Sequence, residues 1–267
     1  MDKPDIQRSD LSGIRQEIDS IDEQIVELLG ARFAASEKVR LAKTSSLLAG
    51  GMPYRPGREA VILRRLVEIA DGRVPVTVIE RVWRTVISAS ILAQADVRIV
   101  TVSEVMSDAR YRQAIDLFSS LVPIEKVGSL KAALGALADH EQVLVVVPMK
   151  LDWRGILDQT KDGPRARVVA VLAAGSDKPA RSLAVLGHAL SEPTGEDETL
   201  LVTTGKLPRD FVPKPIWHLK LADDVHLTSL PGYLEISEQP LVGLKGNSGL
   251  GLKIAGRYPS AMELGTQ

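Results

Sequence analysis

No cysteine occurs among the 267 residues, so the chain can form neither a disulfide nor a thiolate metal cluster. No sign of charge prevails either. Thirty-three Lys and Arg stand against 34 Asp and Glu, and the first 96 residues carry equal numbers of each, so no bulk field draws nucleic acid or an anionic membrane surface. Any anion site must therefore be local. No apolar run approaches the roughly 18 residues of a membrane-spanning helix, and the polar start from Met1 to Asp10 lacks the apolar centre of a signal peptide. Together with the missing cysteines, this predicts a cytoplasmic protein. The four histidines, His140, His188, His218 and His226, have no metal-ligand spacing, so no metal is expected. Gly243, Gly246, Gly249 and Gly251 read as turns, because no Lys-Ser or Lys-Thr follows to make a phosphate loop. There is no internal repeat and no nucleophile motif. With 45% hydrophobic and 25% charged residues, what remains is an ordinary globular chain with material for two domains.

One stretch stands out. Leu11, Ile14, Ile18, Ile21, Ile25, Leu28 and Leu29, then Ala35, Val39 and Ala42, follow the three-and-four spacing of an amphipathic helix, and no proline interrupts them. Asp10 is a candidate N-cap, and Gly50, Gly51 and Pro53 forbid continuation. The spacing predicts a helix over 11–43, about 35 residues and roughly 50 Å long. A rod of that length cannot bury its stripe against two short helices alone, so pairing with a second copy of itself is expected.

Cations interrupt the apolar face. Arg32 and Lys43 return to nearly the same side of the helix about three turns apart, so both can reach one pocket. Arg15 lies roughly 25 Å from Arg32 along the axis and cannot serve that pocket, but an antiparallel partner helix could carry it into the partner's. Solvated side chains are the alternative reading of all three.

Thr44 to Arg55 reads as a loop. Pro56 then fits the first position of a second helix, with Glu59 in its first turn, Val61, Ile62, Leu66 and Ile69 as its apolar face, and Asp71-Gly72 as its end. A third helix is expected from Pro75 to about Ala95 through Val78, Val82, Val86, Ile87 and Ile91. It places Ser90 and Gln94 four residues apart on its inner side.

These residues carry a resemblance. The segment 11–95 resembles the all-helical class of chorismate mutase, most nearly the mutase domain fused ahead of prephenate dehydratase in bacterial bifunctional enzymes. The matching stretches are Leu11-Ser12-Gly13-Ile14-Arg15-Gln16-Glu17-Ile18-Asp19-Ser20-Ile21-Asp22-Glu23-Gln24, Val39-Arg40-Leu41-Ala42-Lys43, Tyr54-Arg55-Pro56-Gly57-Arg58-Glu59-Ala60 and Ser90-Ile91-Leu92-Ala93-Gln94. Each is weak alone; in this order and spacing they are specific.

The resemblance implies a three-helix, dimeric domain at residues 1–96 that converts chorismate to prephenate in phenylalanine and tyrosine biosynthesis. That reaction is an intramolecular [3,3] rearrangement needing no cofactor, metal or nucleophile: the enzyme folds a dianion into a chair and stabilises charge separating across the breaking ether bond. By resemblance, Arg32 and the partner copy's Arg15 hold the two carboxylates, and Lys43 and Gln94 donate to the ether oxygen. Glu59 accepts from the ring hydroxyl, Arg58 supports that corner and Ser90 binds near a carboxylate. A millionfold acceleration asks for roughly 8 kcal/mol, which a few charge-assisted hydrogen bonds and pre-set orientation can supply. Pro56-Gly57 fills a turn in which some members bear an aspartate. Gln94 stands where others carry a glutamate that must be protonated, so activity is expected to persist at neutral and mildly alkaline pH. The same fold implies two alternatives: an isochorismate pyruvate lyase or aminodeoxychorismate mutase, or a non-catalytic sensor of an aromatic-pathway intermediate.

After Ala95 the pattern changes. Val97 to Val102, Gln142 to Val147, Val168 to Leu172 and Thr199 to Val202 read as strands, and Tyr111 to Leu121 and Ser129 to Leu137 as helices, which predicts an α/β domain over 97–267. Asp152 to Arg165 is polar, a loop or short helix, and Ser191 to Glu198 reads as an exposed linker. Trp83, Trp153 and Trp217 read as core or interface aromatics. This half resembles a degenerate prephenate dehydratase followed by an ACT-like module. Ser129 to Pro148 is similar to a dehydratase helix and strand, Pro193 to Val202 to the junction into the module, and Leu252 to Pro259 to its closing segment. The dehydratase motifs are missing, since Ala180-Arg181-Ser182-Leu183 stands for Thr-Arg-Phe and Met149-Lys150 follows Pro148 in place of Glu-Asn-Ser. The phenylalanine-binding signature is reduced to a distant likeness in Leu227-Thr228-Ser229-Leu230-Pro231. The half is therefore expected to be non-catalytic.

Overall fold

The computed structural model describes residues 8–44, 51–103, 108–153, 156, 166–172, 179–222, 224–244 and 248–261. By contacts the chain divides into two compact units, Met1–Gly50 and Gly51–Gln267.

The first unit is helix α1, Arg8–Thr44. It begins before Asp10, so that residue stands inside the helix rather than at its N-cap, and the expected length is met. Its apolar stripe is on the surface: Ile14, Ile18, Ile21 and Ile25 are each 48–52% exposed.

The second unit opens with α2, Pro56–Ala70, and α3, Val76–Leu92. Pro56 starts α2 because its fixed φ suits a first turn whose N–H groups have no partner in any case. Asp71, in the left-handed region at φ 48°, ends it, and Arg73 donates to the last carbonyls, those of Ile69 and Ala70. The faces differ from expectation. Leu63 and Glu59 are the buried line of α2, while Val61 and Ile69 are exposed; on α3, Val86, Ile87 and Ile91 are buried but Val78 and Val82 are not. The reason is that α2 packs on α3 and on the last strand of the sheet, and α3 on the helix that follows it, so the apolar sides turn toward the α/β body.

Among the described residues, that body is built on one nine-stranded sheet. Strands β1 (Arg98–Val102), β2 (Ile124–Val127) and β3 (Val143–Pro148) alternate with α4 (Asp108–Phe118) and α5 (Leu130–Asp139), the latter N-capped by Ser129, whose Oγ accepts from the Ala132 N–H at 3.2 Å. Then come β4 (Arg167–Leu172), β5 (Leu183–Gly187), β6 (Asp197–Thr204), β7 (Trp217–Lys220), β8 (Val225–Pro231) and β9 (Lys253–Pro259). The order across the sheet is β2-β1-β3-β5-β4-β9-β6-β8-β7. Pairing is parallel for β2-β1-β3, antiparallel for β3-β5-β4 and antiparallel for β9-β6-β8-β7.

The parallel pair of Val168 with Gly256 joins the two halves of the sheet. A Cβ on Gly256 would lie 2.0 Å from the Val168 carbonyl oxygen, so only glycine permits this approach.

One core runs continuously from Tyr54, Ile87 and Ile91 into the sheet, and Trp153 is wholly inside it. A smaller cluster, Leu201, Leu230, Leu241, Leu244 and Leu250, covers part of β6 and β8.

The four strands, two helices and α/β character expected after Ala95 are all present. Strands β2, β5, β7, β8 and β9 are additional. The stretch Ser191 to Glu198 differs from the expected linker. Asp197 and Glu198 already belong to β6, and the preceding residues are tied down: Asp197 accepts from the N–H groups of Thr194 and Gly195, Arg55 pairs with Glu192, and Arg64 donates to Thr194 Oγ1 and to the carbonyls of Glu196 and Ser260. Most of Asp152 to Arg165 and part of Thr44 to Arg55 lie outside the described residues.

Candidate active site

The seven residues singled out in the sequence fall in both units. On α1, Arg15 is exposed and Arg32 is half-buried, where loss of solvation lowers its guanidinium from the ordinary value. Lys43 belongs to the last turns of α1, and its side chain lies outside the described residues.

In the second unit, Arg58 and Glu59 sit in the first turn of α2. The helix start holds Glu59 through its N–H, which donates to the Arg55 carbonyl at 3.0 Å. Arg58 turns outward, and Glu59 is buried at 8% exposure. Burial raises the Glu59 carboxyl to about 8 against the opposing pull of the Arg84 guanidinium, and its Oε1 is buried without a hydrogen-bond partner. The Tyr54 hydroxyl is raised as well, first by burial and then by the Glu59 charge.

These two groups line a cleft of about 300 Å³ with Glu80, Arg81, Arg84 and Asp116, and with Leu172 and Ser260. Arg84 is fixed there. Its Nε and Nη2 donate to Glu80 Oε1 at 3.0 and 2.7 Å, and its Nη1 to the Leu117 carbonyl at 3.4 Å. Glu80 and Arg84 were not singled out in the sequence, although their four-residue spacing on one helix is the signal that pairs them.

Ser90 and Gln94 come together at the end of α3. The Ser90 hydroxyl donates back to the Val86 carbonyl at 2.9 Å, and Gln94 Nε2 donates to the Ser90 carbonyl at 2.9 Å. Neither lines the cleft at Glu59. Ser88 is the serine beside Glu59: the two share the lining of a small void with Ile91 and Phe118, and the Ser88 hydroxyl donates to the Phe118 carbonyl at 2.7 Å.

The two stretches that depart from the dehydratase motifs also meet. Pro148 pairs with Leu183 across β3 and β5, and the Met149 N–H donates to the Ser182 carbonyl at 3.0 Å. Met149 and Ser182 are both buried, so a thioether occupies this point.

Residues 14–95 match the family model for chorismate mutase type II. Among curated proteins, the chain is 25% identical over 156 residues to the bifunctional chorismate mutase/prephenate dehydratase of Pseudomonas aeruginosa and 24% identical over 156 residues to that of Stutzerimonas stutzeri; in each case 57% of this chain is covered. It spans 42% of the length of either relative. Among solved structures, the prephenate dehydratase of Streptococcus mutans is similar at 13% identity and TM-score 0.36, covering 61% of this chain and 98% of that one. A quorum-quenching acylase, GqqA, is similar at 12% identity and TM-score 0.41, covering 61% and 95%. The chain thus combines a segment that matches the chorismate mutase type II model with a C-terminal sheet-containing region. The matched segment crosses the division between the two compact units at residue 50. Among the described residues, no helix is long and apolar enough to cross a membrane, and no group of three metal-binding side chains occurs.

Proposed function

We propose that this protein is a cofactor-free chorismate mutase that acts as a homodimer through α1 in the cytoplasm, with residues 1–96 as the mutase domain and residues 97–267 as a non-catalytic domain. The observation that carries the reading is the family match over 14–95, which spans all of Arg15, Arg32, Lys43, Arg58, Glu59, Ser90 and Gln94.

In this reading the two carboxylates of the substrate lie on Arg32 and on the partner copy's Arg15. Lys43 and Gln94 donate to the ether oxygen as negative charge gathers there in the transition state, the interaction that lowers the barrier. Arg58 and Ser90 hold the substrate's edges. Glu59 accepts from the ring hydroxyl. A carboxyl that keeps its proton to about pH 8 suits a dianionic substrate, because it adds no like charge to the site. Dehydration of prephenate is absent, since Met149 and Ser182 supply no acid or base for it.

The test is to follow loss of chorismate by the purified full chain and identify the product after acid conversion. Prephenate formation is the expected result. Release of pyruvate would assign the lyase, and tight binding without turnover would assign the sensor. Prephenate offered as substrate is expected to give no phenylpyruvate.

A further inference from the structure

Strand β8 puts His226, Thr228 and Leu230 on one face, and the segment between β6 and β7, residues 205–216, lies over that face, with its Leu207 and Phe211 packed against the Leu201/Leu230 cluster. The cover is incomplete. Beside it is a hollow of about 210 Å³ lined by Lys206, Arg209, Phe211, Lys214, His218 and Thr228 together with flanking proline and leucine. At a share of roughly 30 Å³ per water, it has room for about seven. Among the described residues, none of its lining is acidic; Asp210, the acid of the covering segment, is not part of it.

Three further observations bear on what such a hollow takes. Thr228 is 1% exposed, and its Oγ1 has no hydrogen-bond partner, a cost that a ligand acceptor would remove. Lys214 donates to the Arg209 carbonyl at 3.0 Å, which fixes the covering segment. His218, cross-strand from Thr228, is joined at 2.7 Å to Nδ1 of the buried His226, whose Nε2 lies 3.1 Å from Asp224 Oδ1. The simplest proton placement runs one way: Asp224 accepts from His226 Nε2–H, and His226 Nδ1 accepts from His218 Nε2–H. A second proton on His218 then adds a donor and a positive charge at the hollow.

We propose that this hollow is a binding site for a small oxyanion, a carboxylate or a phosphate, held by the charges of Lys206 and Arg209, a hydrogen bond from the Thr228 hydroxyl, and a proton-dependent contact from His218. Nothing in the mutase reading uses these residues, so the two stand or fall separately. Among the described residues, the charged groups about His218 are Lys206, Arg209 and Lys214, which line the hollow with it, and His226 with Asp224; Lys220 sits 3.6 Å from Asp224. Burial, then His226 and Lys206, lower the empty-site His218 below its ordinary value, and an anion beside it reverses the electrostatic part.

Calorimetric titration of the full chain with inorganic phosphate, and separately with malonate, at constant ionic strength set by chloride, tests the site. Saturable binding of at least one probe is expected, and the stronger one assigns the ligand class. Arg209→Ala and Lys206→Ala, both at exposed positions, are expected to weaken binding about tenfold. Thr228→Val is expected to weaken it severalfold without lowering the melting temperature, since it also deletes a buried unpartnered hydroxyl. Affinity should rise severalfold from pH 7.5 to pH 6. No saturable heat with either probe, or affinities unchanged in all three variants, would overturn the proposal.

Discussion

Glu59 stands in the first turn of α2, where the helix dipole favours a carboxylate, yet its buried environment holds the proton to about pH 8. The consequence for stability has a definite sign. In the unfolded chain the carboxyl titrates near its ordinary 4.5, so between about 4.5 and 8 the folded state keeps a proton that the unfolded state has lost. Stability from this group is fully present below that window and falls as pH rises through it. Glu59→Gln, which cannot ionise, is expected to melt at a nearly constant temperature from pH 5 to pH 8.5, while the unmodified chain loses several degrees; equal pH dependence in both would show that Glu59 is solvated. The resemblance singled out the residue in Arg58-Glu59. Its burial was not legible, because Tyr54 ahead of α2, Arg84 of α3 and Asp116 of α4 line one cleft with it from separate parts of the chain. The His218–His226 contact was equally hidden, since an eight-residue separation says nothing until the β7–β8 register pairs the strands.

Among the elements, α1 carries the dimer reading. Its isoleucines lie half-exposed in one stripe, and burying such a side chain is worth about 1.5–3 kcal/mol. Ile18→Asp with Ile21→Asp is expected to turn a dimer into a monomer by light scattering, with helix content nearly kept; an unchanged mass would remove α1 from the interface. At the other end of the chain, β9 depends on a missing side chain. Gly256→Ala forces a methyl into the Val168 carbonyl, which by the cost of overpacking should destabilise by about 3 kcal/mol and lower the melting temperature by roughly 6–12 °C. Elements with long one-sided periodicity, α1 above all, were readable in the sequence to within a few residues. Strands such as β7 and β8 were not: Trp217-His218-Leu219-Lys220 is short and proline-flanked, and Val225 to Pro231 interleaves His, Thr and Ser with apolar residues. What makes them strands is pairing: β8 lies against β6, and β7 against β8.

For the whole molecule, the chemistry and the packing divide the chain at different places. The family match ends at residue 95, whereas α2 and α3 share their core with the sheet through Tyr54, Ile87 and Ile91. Arg55 and Arg64, on either side of Arg58-Glu59, also hold the stretch that leads into β6. A chain cut to residues 1–96 is therefore expected to expose Leu63, Ile87 and Ile91, and to melt lower or aggregate relative to the full protein. Equal stability of the fragment would mean that these contacts contribute little. The apolar periods of α2 and α3 fixed where each helix lies, but not which side is inner, because that depends on a sheet formed by residues 97–259.

If two α1 helices lend each other Arg15 to complete two mutase sites, variants with complementary defects must restore activity when mixed. Arg15→Ala and Arg32→Ala chains, each purified alone, should be nearly inactive on chorismate. Unfolded and refolded together, about half the dimers are mixed, and in each of those one site regains both arginines, so about a quarter of the unmodified activity should return. Two inactive variants that stay inactive when mixed, or an Arg15→Ala chain that is fully active alone, would mean that neither site borrows Arg15 from its partner.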